Sequence, residues 1–335
     1  MSELDLVREL FPERAQDSAV RERVRVVVAA RTFDRRRSWG RRRLFVPAVG
    51  LAAGAAAAVV LLLAGTSATV DAAAARLLHR AALAARQERS LGTLEPGQYL
   101  YTKSVDAYLS TVAGARPDGT TWQYSALVPH GREIWLAADD TGWLHETGGK
   151  PTFLSDRDRQ AWIADGRPNM GTGVSSTRLG GGPGENTKMP SLDLPSDPDA
   201  LYTRLHEEAN GNANGVYREM FTLIGDALRE NYTTPAQRAA LYEVAARLPG
   251  IQFIGRTTDA VGRPALAVAM ENGSNDDRST LLFDPRSYAL LGEEDVLLAG
   301  NQLGYPAGTV IGHATYIEQR VVGSVPAAVV EAAKH

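Results

Sequence analysis

The side chains able to do chemistry are few and scattered. The histidines are His79, His130, His145, His206, His313 and His335, and the chain has no cysteine. His145 and Glu146, near His130 and Glu133 in sequence, form the one cluster worth testing as a metal site. Their spacing fits no zinc pattern, and solvated strand residues account for it. No serine stands in a GxSxG elbow. Asp139 and Asp140 belong to AspAspThrGly, which reads as a turn rather than as paired catalytic carboxylates. The glycine-rich stretch GGGPGEN lacks the lysine of a phosphate loop, and after Gly171 and Gly173 the third position of a dinucleotide fingerprint is Ser176. The expectation is a non-enzyme with no catalytic residue, no cofactor and no metal. Trp122, Trp135 and Trp143, with Trp162 beyond them, gather in one β-rich region. Sheet packing explains such a cluster, and a ligand platform is the functional alternative. An apolar cleft between sheet and helices would be the seat of any ligand.

The segment that organises the rest is Leu44 to Ala64, which holds no charged residue. As a helix it is about 30 Å long, the thickness of a bilayer's hydrocarbon, and a helix satisfies its own backbone in lipid. Arg35, Arg36, Arg37, Arg41, Arg42 and Arg43 precede it, whereas the first cation beyond it is Arg76. Cationic flanks stay in the cytoplasm, so the reading is a single-pass signal anchor with residues 1–43 inside and the bulk of the chain outside. Arg42 and Arg43 followed by Leu44, Phe45 and Val46 also have the look of a twin-arginine export signal.

Charge supports this partition. Residues 1–43 carry 12 Arg against 7 acids, although the whole 335-residue chain is at −3. A basic excess confined beside the span reads as a topology signal facing anionic lipid, not as nucleic-acid binding. Without cysteine, an exported domain must stand on its hydrophobic core.

Leu4, Val7 and Leu10, and then Val20, Val24 and Val27 within Ala19–Ala30, recur at helical spacing and form a candidate face for a cytoplasmic partner. Residues 65–95 read as a juxtamembrane helix capped by Asp71 and running to about Ser90. The outer domain covers 96–325. Strands are expected at 98–105, 121–127, 133–138 and 143–146, with a short helix after Ser155. The segment 169–196 is expected to be a long flexible loop. Three helices follow, at 197–209, 216–230 and 234–248. Period-two runs at 251–258, 265–270, 280–283, 288–293 and 309–322 complete the chain. The order predicts an α+β fold: one transmembrane helix, then an antiparallel curved sheet with helices on one face.

ProGlyGlnTyrLeuTyr at 96–101, LeuProSerAspProAspAlaLeu at 194–201, LeuProGlyIle at 248–251 and LeuPheAspProArgSer at 282–287 follow an Arg-rich segment and an Ala-rich span. In this combination the chain resembles an uncharacterised family of single-pass actinobacterial membrane proteins often encoded beside extracytoplasmic-function sigma factors. The outer part is reminiscent of the half-barrels of periplasmic lipoprotein carriers and of sigma-regulatory sensors. The resemblance implies an envelope sensor or regulator, with an outer binding domain and a cytoplasmic segment that contacts a partner such as a sigma factor. Residues 1–43 lack the histidine and cysteines of zinc-binding anti-sigma domains, so that contact would need no zinc. The alternative is an outer binding or carrier module for an apolar ligand or an envelope protein.

Overall fold

The computed structural model describes residues 26–29, 70–88, 90, 94–115, 121–139, 141–180, 194–229, 233–272 and 276–333. The expected span 44–64, the six arginines before it, and Leu4, Val7, Leu10, Val20 and Val24 lie outside these residues. Among the described residues no helix is long and apolar enough to cross a membrane.

In chain order the elements are β1 (Val26–Ala29), α1 (Ala72–Gln87), β2 (Tyr99–Ala115), β3 (Thr121–Leu136), β4 (Gly142–Gly148), β5 (Thr152–Phe153), α2 (Asp156–Ala164) and β6 (Gly173–Leu179). Then come α3 (Pro198–Ala209), α4 (Val216–Arg229), α5 (Pro235–Ala245), β7 (Ile251–Thr258), β8 (Pro264–Asn272), β9 (Asp277–Phe283), β10 (Leu290–Leu297), β11 (Val310–Val322) and α6 (Ala327–Ala332). The strands form one antiparallel sheet in the order β6-β4-β3-β2-β11-β10-β9-β8-β7, with β1 beside β2 and β5 beside β3. The four large helices α1, α3, α4 and α5 pack on one face, which makes the fold α+β.

Local chemistry sets the helix starts. Asp71 accepts from the amides of Ala73 and Ala74, Ser155 from Asp158, and Asp197 from Asp199 and Ala200. Thr234 and Gln237 form a reciprocal capping box at α5. Pro198 and Pro235 open their helices where a missing N–H costs nothing. The main core lies between α1, α3, α4, α5 and strands β7 to β9, where Leu78, Leu201, Ile224, Leu241 and Phe283 are buried.

The structure departs from the sequence reading in four places. The strands expected at 121–127 and 133–138 are one strand, β3, running through Pro129. That proline falls where β4 ends at His130 and β5 begins at Leu127, a gap in the neighbouring ladder that asks for no donor. Within the segment read as a loop, 173–179 form β6 and pair with β4 in full register. Gly173 and the Ser–Ser–Thr run hide strand character, and only an edge strand tolerates so many exposed positions. The helix α6 was not expected; its Val329 packs on Tyr101 and Trp135. Finally, Val26–Ala29 is a strand paired with Ser110–Ala113, not part of a helix over 19–30, so Val27 lies on no helical partner face. β-Branched valines favour a strand where an open ladder is offered.

Candidate functional site

The one cluster worth testing as a metal site is divided by the pleat. Glu133 and His145 face each other across β3 and β4, while Arg132 and Glu146 face each other one position away and therefore on the other side of the sheet. His130 shares the latter side. Three of the four candidates have partners of their own: the Tyr101 hydroxyl donates to Glu133 at 2.6 Å, His145 Nδ1 lies 2.8 Å from Ser176 Oγ, and Arg132 Nε donates to Glu146 at 2.9 Å. Burial pushes the Glu133 carboxyl up, but hydrogen bonds from Tyr101 and Lys103 outweigh it and hold the acid below its usual range. Asp139 accepts from the amide and hydroxyl of Thr141 and so closes the β3–β4 turn. Asp140 lies outside the described residues.

The tryptophans are not one platform. Trp135 and Trp143 are cross-strand partners, covered by Tyr99, Val322, Val325 and Val329. Trp122 stacks on Tyr124 at 5.5 Å near the other end of β3. The 13 positions between Trp122 and Trp135 on a strand amount to about 43 Å, and an odd separation places them on opposite faces.

Two other places bring side chains together between helices and sheet. The first is a charged seam under α4. On that helix Arg218, Thr222, Gly225 and Arg229 follow one another at helical spacing beside the buried Met220, Phe221, Ile224 and Leu228. They face Asp277, Ser279, Glu293 and Asp295 across a cleft of about 50 Å³, room for a water or two. Arg218 donates to Ser279 Oγ at 2.6 Å, Ser279 donates to Asp295, and Arg229 Nε lies 2.5 Å from Glu293. A Cβ at Gly225 would stand 3.4 Å from Glu293 Oε2, an ordinary contact, so the approach does not depend on glycine there. The same face continues along the sheet. Asp295 lies opposite Gly312 and Gly312 opposite Tyr108; Glu293 lies opposite Ala314 and Ala314 opposite Asp106. Asp106 is 1% exposed and is met by Arg132 at 3.3 Å.

Burial pushes Glu293 up to about 7 against the pull of Arg229, and it pushes the Tyr108 hydroxyl far above its ordinary value. Among the described residues the cleft lining has no histidine and no cysteine. Its one serine, Ser279, accepts from the Arg218 guanidinium and donates to the Asp295 carboxylate.

The second place is a groove of about 170 Å³ at the start of α1, lined by Ala73, Arg76, Leu77, Arg80, Phe253, Leu266 and Tyr288. Its floor is apolar and its rim carries two arginines four residues apart. Arg80 donates to the Tyr288 hydroxyl at 2.8 Å and lies 5.7 Å from that ring's centre. Sequence reading missed both places. The spacing of Arg218, Thr222, Gly225 and Arg229 along an otherwise apolar stripe, and of Arg76 and Arg80 on α1, was the available signal.

No protein-family model and no curated protein matches the chain, so the motif-based resemblance gains no family. Solved structures that align with it include a domain assigned to outer membrane lipoprotein sorting from Vibrio parahaemolyticus. That domain is 8% identical, with 76% of this chain and 96% of that chain covered and a TM-score of 0.22. A DUF1329 family protein from Desulfovibrio piger is 7% identical, with 73% and 92% covered and a TM-score of 0.20. Likeness at this level assigns no function.

Proposed function

We propose that this chain is a non-enzymatic, membrane-tethered binding module whose extracytoplasmic domain takes an apolar or amphiphilic ligand at the α1 groove. The supporting observation is the groove's lining: Leu77, Phe253, Leu266 and Tyr288 as floor, with Arg76 and Arg80 at the rim. An apolar floor with a few placed polar groups is how proteins hold small ligands. The uncharged segment 44–64 and the arginines before it support a single span with a cytoplasmic N-terminus. A photo-crosslinking amino acid placed at Leu266 of the full chain, irradiated in intact membranes, tests the reading. A small-molecule adduct is the expected result. A protein adduct would turn the site into a docking surface for an envelope protein, and no adduct would remove the site.

The regulator reading rests on residues 1–31, whose apolar periodicity offers a cytoplasmic partner a face. Deleting those residues and scoring transcription tests it; an unchanged profile sinks it. A cytoplasmic N-terminus and the pairing of Val26–Ala29 with β2 exclude each other, because a strand cannot pair through a bilayer. In our proposal, insertion of 44–64 into lipid withdraws residues 26–29 from that edge.

A further inference from the structure

We infer that the α1 groove is a headgroup site for an anionic phospholipid of the membrane that anchors the chain, an inference that rests on the tethered reading above. The argument begins with charge. Arg76 is exposed and has no ion pair among the described residues, and Arg80 bonds only to a neutral hydroxyl and ring. Arg256 is exposed and stands opposite Leu266 in the β7–β8 register, which puts a third guanidinium on the groove's face of the sheet. The acids nearby are already occupied. Asp71 is held below its usual range by the amides of Phe253, Ala73 and Ala74. Asp284, in the turn that carries Tyr288, is held down by the amides of Ser287 and Arg286. The rim is therefore net cationic and has no spare carboxylate for a choline.

Position supplies the second argument. Six residues, 65–70, separate the end of the apolar segment from Asp71. Fully extended they reach at most about 20 Å. A groove in the first turns of α1 is thus held close to the membrane surface, within reach of the headgroups. The guanidiniums match phosphate oxygens, and the floor of Leu77, Phe253 and Leu266 matches the glycerol and first methylenes of a lipid.

The test uses the full chain in dodecyl maltoside, titrated separately with dihexanoyl phosphatidylglycerol, dihexanoyl phosphatidylcholine and inorganic phosphate. The readouts are melting temperature and amide exchange of α1. Phosphatidylglycerol should raise the first and slow the second, while the other two do neither. The double variant R76Q/R80Q, which alters only the rim, should bind phosphatidylglycerol about thirty-fold more weakly, at about 1 kcal/mol per arginine. Arg256→Gln alone gives a second reading of several-fold should the double variant melt early. Equal shifts with both lipids, an undiminished response in the variants, or an equal response to phosphate alone would each overturn the headgroup site. Carbonate extraction reads the tether independently: release of the chain would overturn membrane anchorage, whereas the titration decides the groove.

Discussion

Strands β7 to β9 present Ile251, Val268, Met270, Leu281 and Phe283 to the four large helices, whereas the middle of the same sheet presents Asp295, Glu293, Asp106 and Arg132 on that face. One sheet is thus held in two ways. The first half gains stability from apolar burial, which is non-directional and tolerant of small shifts. The second half depends on charge pairs whose desolvation roughly offsets their attraction, so it contributes little net stability yet punishes the loss of any one member. The lesson is that the seam fixes the distance between α4 and the sheet, while the helical half keeps the domain folded.

The sharpest test of that division is Phe283→Ala. Phe283 is fully buried and meets Tyr242 edge-on at 5.5 Å. Its truncation should cost about 4 kcal/mol in urea unfolding. Arg132→Leu comes next, with a loss of about 3 kcal/mol because the buried Asp106 then loses its guanidinium. Adding Asp106→Asn should restore most of that, as the fully buried charge is then gone and Glu146, which also loses Arg132, is partly exposed. If the second change restores nothing, Arg132 acts by packing and the contrast between the halves fails.

A smaller effect is expected from pH. Glu293 is raised to about 7 in the fold, from an unfolded value of 4.5. Between these values the folded state holds the extra proton, so this group's contribution to stability falls as pH rises from 4.5 to 7. Glu293→Gln should flatten the slope of stability in that window, and an unchanged slope would show that Arg229 keeps the acid ionised throughout. The smallest effect concerns the four-residue pairing of β1. With no native cysteine present, Val27→Cys with Val112→Cys reports that contact directly, since the two positions are register partners. Reconstituted in a bilayer the pair should stay reduced under mild oxidant. A disulfide there would place 26–29 on the outer side and remove the cytoplasmic N-terminus.

Much of the architecture was legible in the residues. The caps Asp71, Ser155, Asp197 and Thr234 announce four helices because a helix start needs a specific acceptor. The turns around 261–264 and 284–287 mark hairpins through Gly, Pro and Asp. The joined strand β3 was hidden because Pro129 breaks a strand unless the neighbouring ladder is absent there, which is a tertiary fact. The charged seam was hidden because its members come from α4, β9, β10 and β2, and nothing in their separate spacings says they meet. The tryptophan cluster misled for the converse reason: proximity along the chain is not proximity on a face.

The central ladder joins β2 to β11, and Tyr108 lies 204 positions before its partner Gly312. A chain delivered from its N-terminus across a membrane would expose one long edge of β2 until the last strand had followed, with closure among the slowest steps because so distant a contact must form. An open edge of that length invites foreign strands in the meantime. On the proposed topology, export of this domain should therefore depend on a holding factor in the receiving compartment, and truncation within β11 should yield aggregate rather than a partly folded product.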